Sequence, residues 1–140
     1  MINDGLKLTG ALSISLNGVV VQETDNLVVT AGKSWVADRM NNANTVMTHM
    51  ALGTSATAAA AGDTTLTAEL DRNPLTSTTV STNTVAYGCT WAAGDGTGAI
   101  TEAGIFDHAT TGDMLARTVF SVVNKAASDS ITITWTITIY

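Results

Sequence analysis

Charge is scarce in this 140-residue chain: Asp, Glu, Lys and Arg make up 13% of it, about half the usual share of a soluble domain. That disfavours disorder, because disordered chains are usually highly charged and poor in β-branched side chains. Six residues are basic against twelve acidic, a formal net charge of −6. The six are scattered, which argues against a nucleic-acid partner. A single cysteine, Cys89, excludes an intrachain disulfide and any multi-cysteine zinc site. No apolar run approaches the roughly 20 residues that cross a bilayer as a helix, so no membrane partner is expected. The start, Met1-Ile2-Asn3-Asp4-Gly5, has no basic stretch, and Ser13, Ser15, Asn17 and Gly18 interrupt the first apolar segment. A secretory leader is therefore not expected, and a chain made in a cytoplasm is. No Asn-x-Ser/Thr acceptor and no internal repeat of fixed period occurs.

What fills the gap is Thr, Ser, Ala, Gly and Asn, interleaved with aliphatic residues at a period of two. Leu12, Ile14 and Leu16 alternate with Ser13 and Ser15, the signature of a half-buried strand. Asn17-Gly18 then favours positive φ at both positions and predicts a type I′ hairpin into Val19-Val20-Val21. Asp25-Asn26 marks a second turn before Leu27-Val28-Val29. Trp35, Val36, Arg39 and Met40 fall at helical spacing, so one short helix is expected within 30–44, with Thr30 as its N-cap. Residues 46–52 read as a strand, with Val46, Thr48, Met50 and Leu52 on one face and Met47, His49 and Ala51 on the other. Residues 53–63 read as a surface loop, and Leu66 and Leu70, four apart, as a single helical turn. Pro74 biases Asn73 towards extended geometry. Strands are expected at 76–80, 85–91, 100–106 and 114–123. The last segment is the plainest: Ile131, Ile133, Trp135, Ile137 and Ile139 alternate with Thr132, Thr134, Thr136 and Thr138. A one-residue slip would expose all five large side chains, so its register is firmly set.

Eight or nine short strands and one short helix predict an all-β fold, a jelly-roll-like antiparallel β-sandwich. The domain is expected over 11–140, with 1–10 as an extended N-terminal arm.

The residue types that carry chemistry do not gather. Cys89 lies on an apolar strand face and reads as a buried thiol; thiolate chemistry needs a base beside it, and His49 and His108 are far off in sequence. Gly94-Asp95-Gly96-Thr97-Gly98 lacks the lysine and following helix of a phosphate loop and reads as a turn. Asp107, His108 and Asp113 lack the alternating ligands and terminal Glu of a calcium loop and read as a solvated strand connection. His49, between two methionines, reads as a packed or interface histidine. Glu102 and Asp107 are five apart, about 17 Å along a strand, and point to opposite faces. Paired carboxylate catalysis needs about 5–10 Å. Glu69, Asp71 and Arg72 read as a local salt bridge or cap. No catalytic residue, cofactor or metal is expected.

Two segments taken together carry a resemblance. One runs from Met50-Ala51-Leu52-Gly53-Thr54 through Ala61-Gly62-Asp63-Thr64-Thr65-Leu66-Thr67-Ala68-Glu69-Leu70 to Arg72. The other is Ile100-Thr101-Glu102-Ala103-Gly104-Ile105-Phe106-Asp107, then Leu115-Ala116-Arg117, closing on Ile131-Thr132-Ile133-Thr134-Trp135-Thr136-Ile137-Thr138. Over roughly residues 46–139 this order resembles small virion structural proteins of tailed bacteriophages. The resemblance implies a β-sandwich and a structural role, in head-associated or tail-associated components, with no catalytic site to carry over.

A 140-residue chain without fibre repeats or heptads fits a head cement or decoration protein better than a tail module. The implied partners are the major capsid protein and further copies of the chain, as a dimer or trimer, and the implied location is the outer capsid surface of the virion. Ile2, Leu6 and Leu8 on the arm and Thr132, Thr134, Thr136 and Thr138 on the last strand are the expected interface residues. Threonine hydroxyls lose less on desolvation than charges do, and an extended arm can add a strand to a neighbour. The alternative is a tail-fibre or baseplate module touching the cell surface through loops such as 94–98 and 107–113. A third reading, a cupin-like metalloenzyme, has too few histidines to supply its ligands.

Overall fold

The computed structural model describes residues 5–42 and 45–140. In chain order these form β1 (Leu8–Leu16), β2 (Val19–Asp25), β3 (Leu27–Val28), α1 (Thr30–Asn41), β4 (His49–Gly53), β5 (Glu69–Pro74), β6 (Ser77–Ser81), β7 (Thr84–Trp91), β8 (Gly98–Phe106), β9 (Met114–Lys125) and β10 (Ile131–Ile139). Two five-stranded sheets result, β2-β1-β10-β7-β6 (sheet A) and β3-β9-β8-β4-β5 (sheet B). Every strand pairing is antiparallel. The fold is an all-β sandwich with one short helix, as the alternation predicts.

The core lies between the sheets. Sheet A contributes Leu12, Ile14, Tyr87, Cys89, Trp91, Ile131, Ile133, Trp135 and Ile137; sheet B contributes Met50, Leu52, Ile100, Ile105, Leu115 and Val123. β10 is the centre of sheet A, paired along its length with β1 and β7. Trp135 is fully buried there. The β1–β2 turn has Asn17 at φ 50° and Gly18 at φ 81°, the two positive values a type I′ turn requires. The Asn17 side chain also ties this turn to the β9–β10 connection. Its amide donates to Asp129 Oδ1 at 2.9 Å, and its carbonyl oxygen accepts from the Ser130 N–H at 2.9 Å.

Four expectations are corrected. Leu66 and Leu70 do not share a helical turn: β5 runs from Glu69 and pairs with β4. A lone helical turn has a costly nucleus, whereas an open sheet edge satisfies the same backbone groups with partners already in place. With β5 the described residues form ten strands, where eight or nine were expected. Thr30 is the first helical residue and not the cap. The N-cap is Val29, which makes no side-chain cap bond, and the Thr30 N–H instead donates to the Ala61 carbonyl at 2.8 Å. The fourth strand starts only at His49. Before it the chain turns over, so Met47 is buried and Val46 exposed, the reverse of a strict alternation from residue 46.

The start of the chain is built into sheet A. Lys7 and Tyr140 exchange backbone hydrogen bonds at 3.2 and 2.8 Å, and β1 begins at Leu8, inside the 1–10 stretch read as an arm.

The outer faces of the two sheets differ. Sheet B is covered. The chain from Thr54 to Ala68 crosses its outer face and drops Leu66 into a second apolar cluster with Val29, Ala51, Phe106 and Met114. The helix packs on β9 so closely that a Cβ on Gly32 would overlap the Leu115 carbonyl. Among the described residues nothing covers the outer face of sheet A in this way.

Candidate interaction face

Register places the residues of sheet A's outer face. Across β1, β10, β7 and β6 the paired positions on that side are Ala11, Ser13 and Ser15; Thr132, Thr134, Thr136 and Thr138; Thr84, Ala86, Gly88 and Thr90; and Ser77, Thr79 and Ser81. No charged side chain stands among them. Only β2, at one margin, adds Glu23 and Asp25, opposite Ser13 and Ala11. Neighbouring hydroxyls meet across strands, as between Thr90 Oγ1 and Thr132 Oγ1 at 3.0 Å. Five strands at ~4.8 Å spacing and about eight residues at ~3.3 Å rise give a surface of roughly 600 Å². That is most of the ~800 Å² one partner contributes to a standard protein interface. A shallow groove of about 660 Å³ runs along it between β2 and β10, walled by Ser13, Glu23, Asp25, Thr134 and Thr136.

The four expected threonines share this face: Thr134 is exposed and Thr132, Thr136 and Thr138 are half-buried by their neighbours. The other expected interface residues go elsewhere. Leu8 points inward and packs on the core. Leu6 is exposed beyond the end of β1. Ile2 lies outside the described residues.

The remaining candidates resolve into structural roles. Asp107 Oδ1 accepts from the Asp113 N–H at 2.7 Å and lies 2.7 Å from His108 Nδ1, closing the 107–113 connection on itself. Arg72 joins Glu69 at 2.6 Å, donates to the carbonyls of His108 and Thr111 at 3.0 and 2.8 Å, and stacks 3.6 Å from the Phe106 ring centroid. One strand and one connection are thereby fastened by a single guanidinium. His49 stands near Arg72 and His108. Partial burial first, and then the electrostatic influence of Arg72 and His108, hold its pKa below the usual histidine value. The Cys89 thiol is buried against the carbonyls of Pro74 and Asn73, and burial pushes its pKa up to about 12, so it holds no thiolate at neutral pH. Residues 94–98 form a turn, with Gly94 and Gly96 at φ 90° and 59°. Among the described residues no group of three or more His, Cys, Asp or Glu is placed to hold a metal ion, and no helix is long and apolar enough to cross a membrane.

One constellation has no counterpart in the sequence reading. Arg117, Glu102 and Asp63 form an ion network under the 54–68 crossing. Arg117 reaches Glu102 at 2.7 Å and Asp63 at 2.9 Å, with both Arg117 and Glu102 side chains at 0% exposure. Arg117 also donates to the Thr57 carbonyl and Thr67 Oγ1, while Glu102 accepts the N–H groups of Thr67 and Ala68. Each guanidinium nitrogen of Arg117 and both carboxylate oxygens of Glu102 have a partner, which is what lets a buried pair persist. The partners are 15 to 60 residues apart. The one signal in the sequence was a Glu and an Arg inside otherwise apolar strands, where a charge needs a partner.

Comparison with known protein families, curated proteins and solved structures gives no match.

Proposed function

We propose that this chain is a structural subunit of a tailed-bacteriophage particle, of the head cement type, bound outside the capsid lattice. In this reading it acts as a dimer or trimer and holds neighbouring major capsid subunits together through sheet A. The observation that supports it most is the asymmetry of the sandwich. Sheet B is covered by the chain's own crossing segment, while sheet A presents a broad, nearly uncharged hydroxyl face. Such a face can be buried with little desolvation cost and with hydrogen bonds across the contact. The resemblance of residues 46–139 to phage structural proteins gives that face its partner. This reading gives the buried charges of Arg117 and Glu102 a structural role, fastening the 54–68 crossing.

The test is binding of the purified chain to expanded capsids that lack it. A charge placed on the face at the exposed Thr134, Thr134→Lys, is expected to weaken binding by tenfold or more, on the order of a buried unpaired charge, while thermal stability stays unchanged. Unchanged capsid affinity would remove sheet A from the contact. Removing residues 1–6, which spares β1, separates an arm contribution from the face. Immunogold labelling of intact particles is expected on heads; labelling confined to tails would contradict the cement reading.

A further inference from the structure

A strand at the edge of a sheet leaves a row of backbone N–H and C=O groups unpaired, and proteins blunt such edges with charge, proline, bulges or short length. Three edges of this sandwich are blunted in those ways. β2 carries Glu23 and Asp25 and breaks register opposite Ile14 and Ser15. β3 is 2 residues long. β5 carries Glu69, Asp71, Arg72 and Pro74 and breaks register opposite Leu52 and Gly53. The remaining edge, β6, is different. Ser77-Thr78-Thr79-Val80-Ser81 holds no charge and no proline, and every residue of it is exposed, Val80 at 71%. Its register with β7 runs unbroken, and among the described residues no strand pairs with its far side.

The free edge is also complementary to itself. The Ile139 N–H donates to the Asn83 carbonyl. Along β7, therefore, odd-numbered residues turn their backbone towards β10 and even-numbered ones towards β6. The β6 partners of Thr84, Ala86 and Gly88 are Ser81, Thr79 and Ser77, which leaves the backbone groups of Thr78 and Val80 pointing outward. A second β6 laid antiparallel about a two-fold axis through Thr79 sets Thr78 of each copy against Val80 of the other. Every outward N–H and C=O of these residues then has a partner. Sliding one strand by two residues leaves the groups of either Thr78 or Val80 without a partner in β6. In the symmetric register no charges are opposed, Ser77 meets Ser81, and Thr79 meets its own copy on the hydroxyl side, a favourable kind of cross-strand pair.

We propose that a second copy of this chain occupies the β6 edge, pairing β6 with β6 about Thr79 so that the two five-stranded A sheets become one. The hydroxyl faces of both copies then lie side by side as a single surface of roughly 1,200 Å². This rests on the reading of the chain as a self-associating subunit and gives that association a place and a symmetry, a two-fold dimer and not a trimer. The contact is one strand pair about 17 Å long, well below the ~800 Å² a partner contributes to a standard interface. The dimer is accordingly weak in dilute solution, with a dissociation constant of about 1 mM or somewhat tighter, and is reinforced where copies are crowded on one surface.

Cysteine scanning of the full chain tests the pairing. Facing residues at a non-hydrogen-bonded position lie about 4.5 Å apart at Cα, within reach of a disulfide, whereas Ser77 and Ser81 would each stand more than about 13 Å from their own copies. Mild oxidation of Thr79→Cys near 1 mM protein is expected to give linked dimers about tenfold faster or more than Ser77→Cys or Ser81→Cys; Cys89 is buried and does not compete. Sedimentation over the same concentrations is expected to show a monomer–dimer equilibrium. Val80→Lys, a guard placed at an exposed site, is expected to abolish it without a change in melting temperature. Equal linkage at all three sites, faster linkage at Ser77 or Ser81, trimers, a monomer throughout, or a dimer indifferent to Val80→Lys would each overturn the pairing. Capsid binding is scored separately. A chain that stays monomeric yet binds capsids overturns the β6 dimer and leaves the cement reading standing, while linkage at Thr79 without capsid binding supports the dimer and overturns the cement reading.

Discussion

Trp135 shows how a single buried side chain constrains its neighbours. Its ring sits at the centre of the core, and its indole N–H donates to Asn26 Oδ1 at 2.8 Å. Asn26 can lie there because residue 10 has no side chain: a Cβ on Gly10 would overlap the Asn26 amide. Asn26→Ala leaves a buried donor without a partner, at a cost of about 1–3 kcal/mol, expected as a lowered urea midpoint with an unchanged slope. Gly10→Ala is expected to act in the same direction. The alternation of residues 131–139 made the inward face of Trp135 legible. The acceptor was not, because Asn26 is 109 residues away and reads locally only as a turn.

Two titrating side chains give expectations at the same scale. Cys89, with its pKa raised by burial to about 12, is expected to stay unreactive towards a thiol-disulfide reagent at pH 8 in the native protein and to react on unfolding. His49 has its pKa lowered by the fold. Between that value and the ordinary ~6.5 the unfolded chain binds more protons than the native one. Its contribution is therefore fully present above about pH 6.5 and is lost as pH falls through the depressed value. The urea midpoint is expected to decline with acidification in this window less steeply in His49→Gln than in the unaltered chain.

Among the elements, the 54–68 crossing depends for its order on buried charge. It has no strand or helix, yet it is fastened through Arg117 and Glu102 beneath it. Arg117→Ala strands the buried Glu102 carboxylate and is expected to cost ~3–5 kcal/mol. A non-specific protease is expected to cut first within 54–68 in that variant, while the unaltered chain resists. Cleavage elsewhere first would show that Leu66 packing, and not the ion network, holds the crossing. The sequence made β10 and the Asn17-Gly18 turn legible because their signals are local: period-two alternation and the need for positive φ. It misled at β5, since whether Glu69–Pro74 becomes a strand depends on the open edge of β4. It also concealed the covered face of sheet B, since a Thr/Ala/Gly-rich stretch looks like any surface loop until its few anchors meet their partners.

For the whole molecule, the consequential feature is that one sheet is finished and the other is not. Low charge, which in the sequence excluded functions and then suggested an interface, resolves into a location: the hydroxyls spread over the outer face of sheet A. The expected threonine face is where the strand pattern put it, while Leu8, grouped with it, belongs to the core, because pairing of Lys7 with Tyr140 draws the start of the chain into the sheet. The proposed cement role is tested most directly by cryogenic electron microscopy of capsid particles assembled with and without this chain. Density of this size is expected on the outer capsid surface only when the chain is present, with sheet A turned towards the lattice. Loss of density from the tail alone, or no loss from the particle, would contradict it.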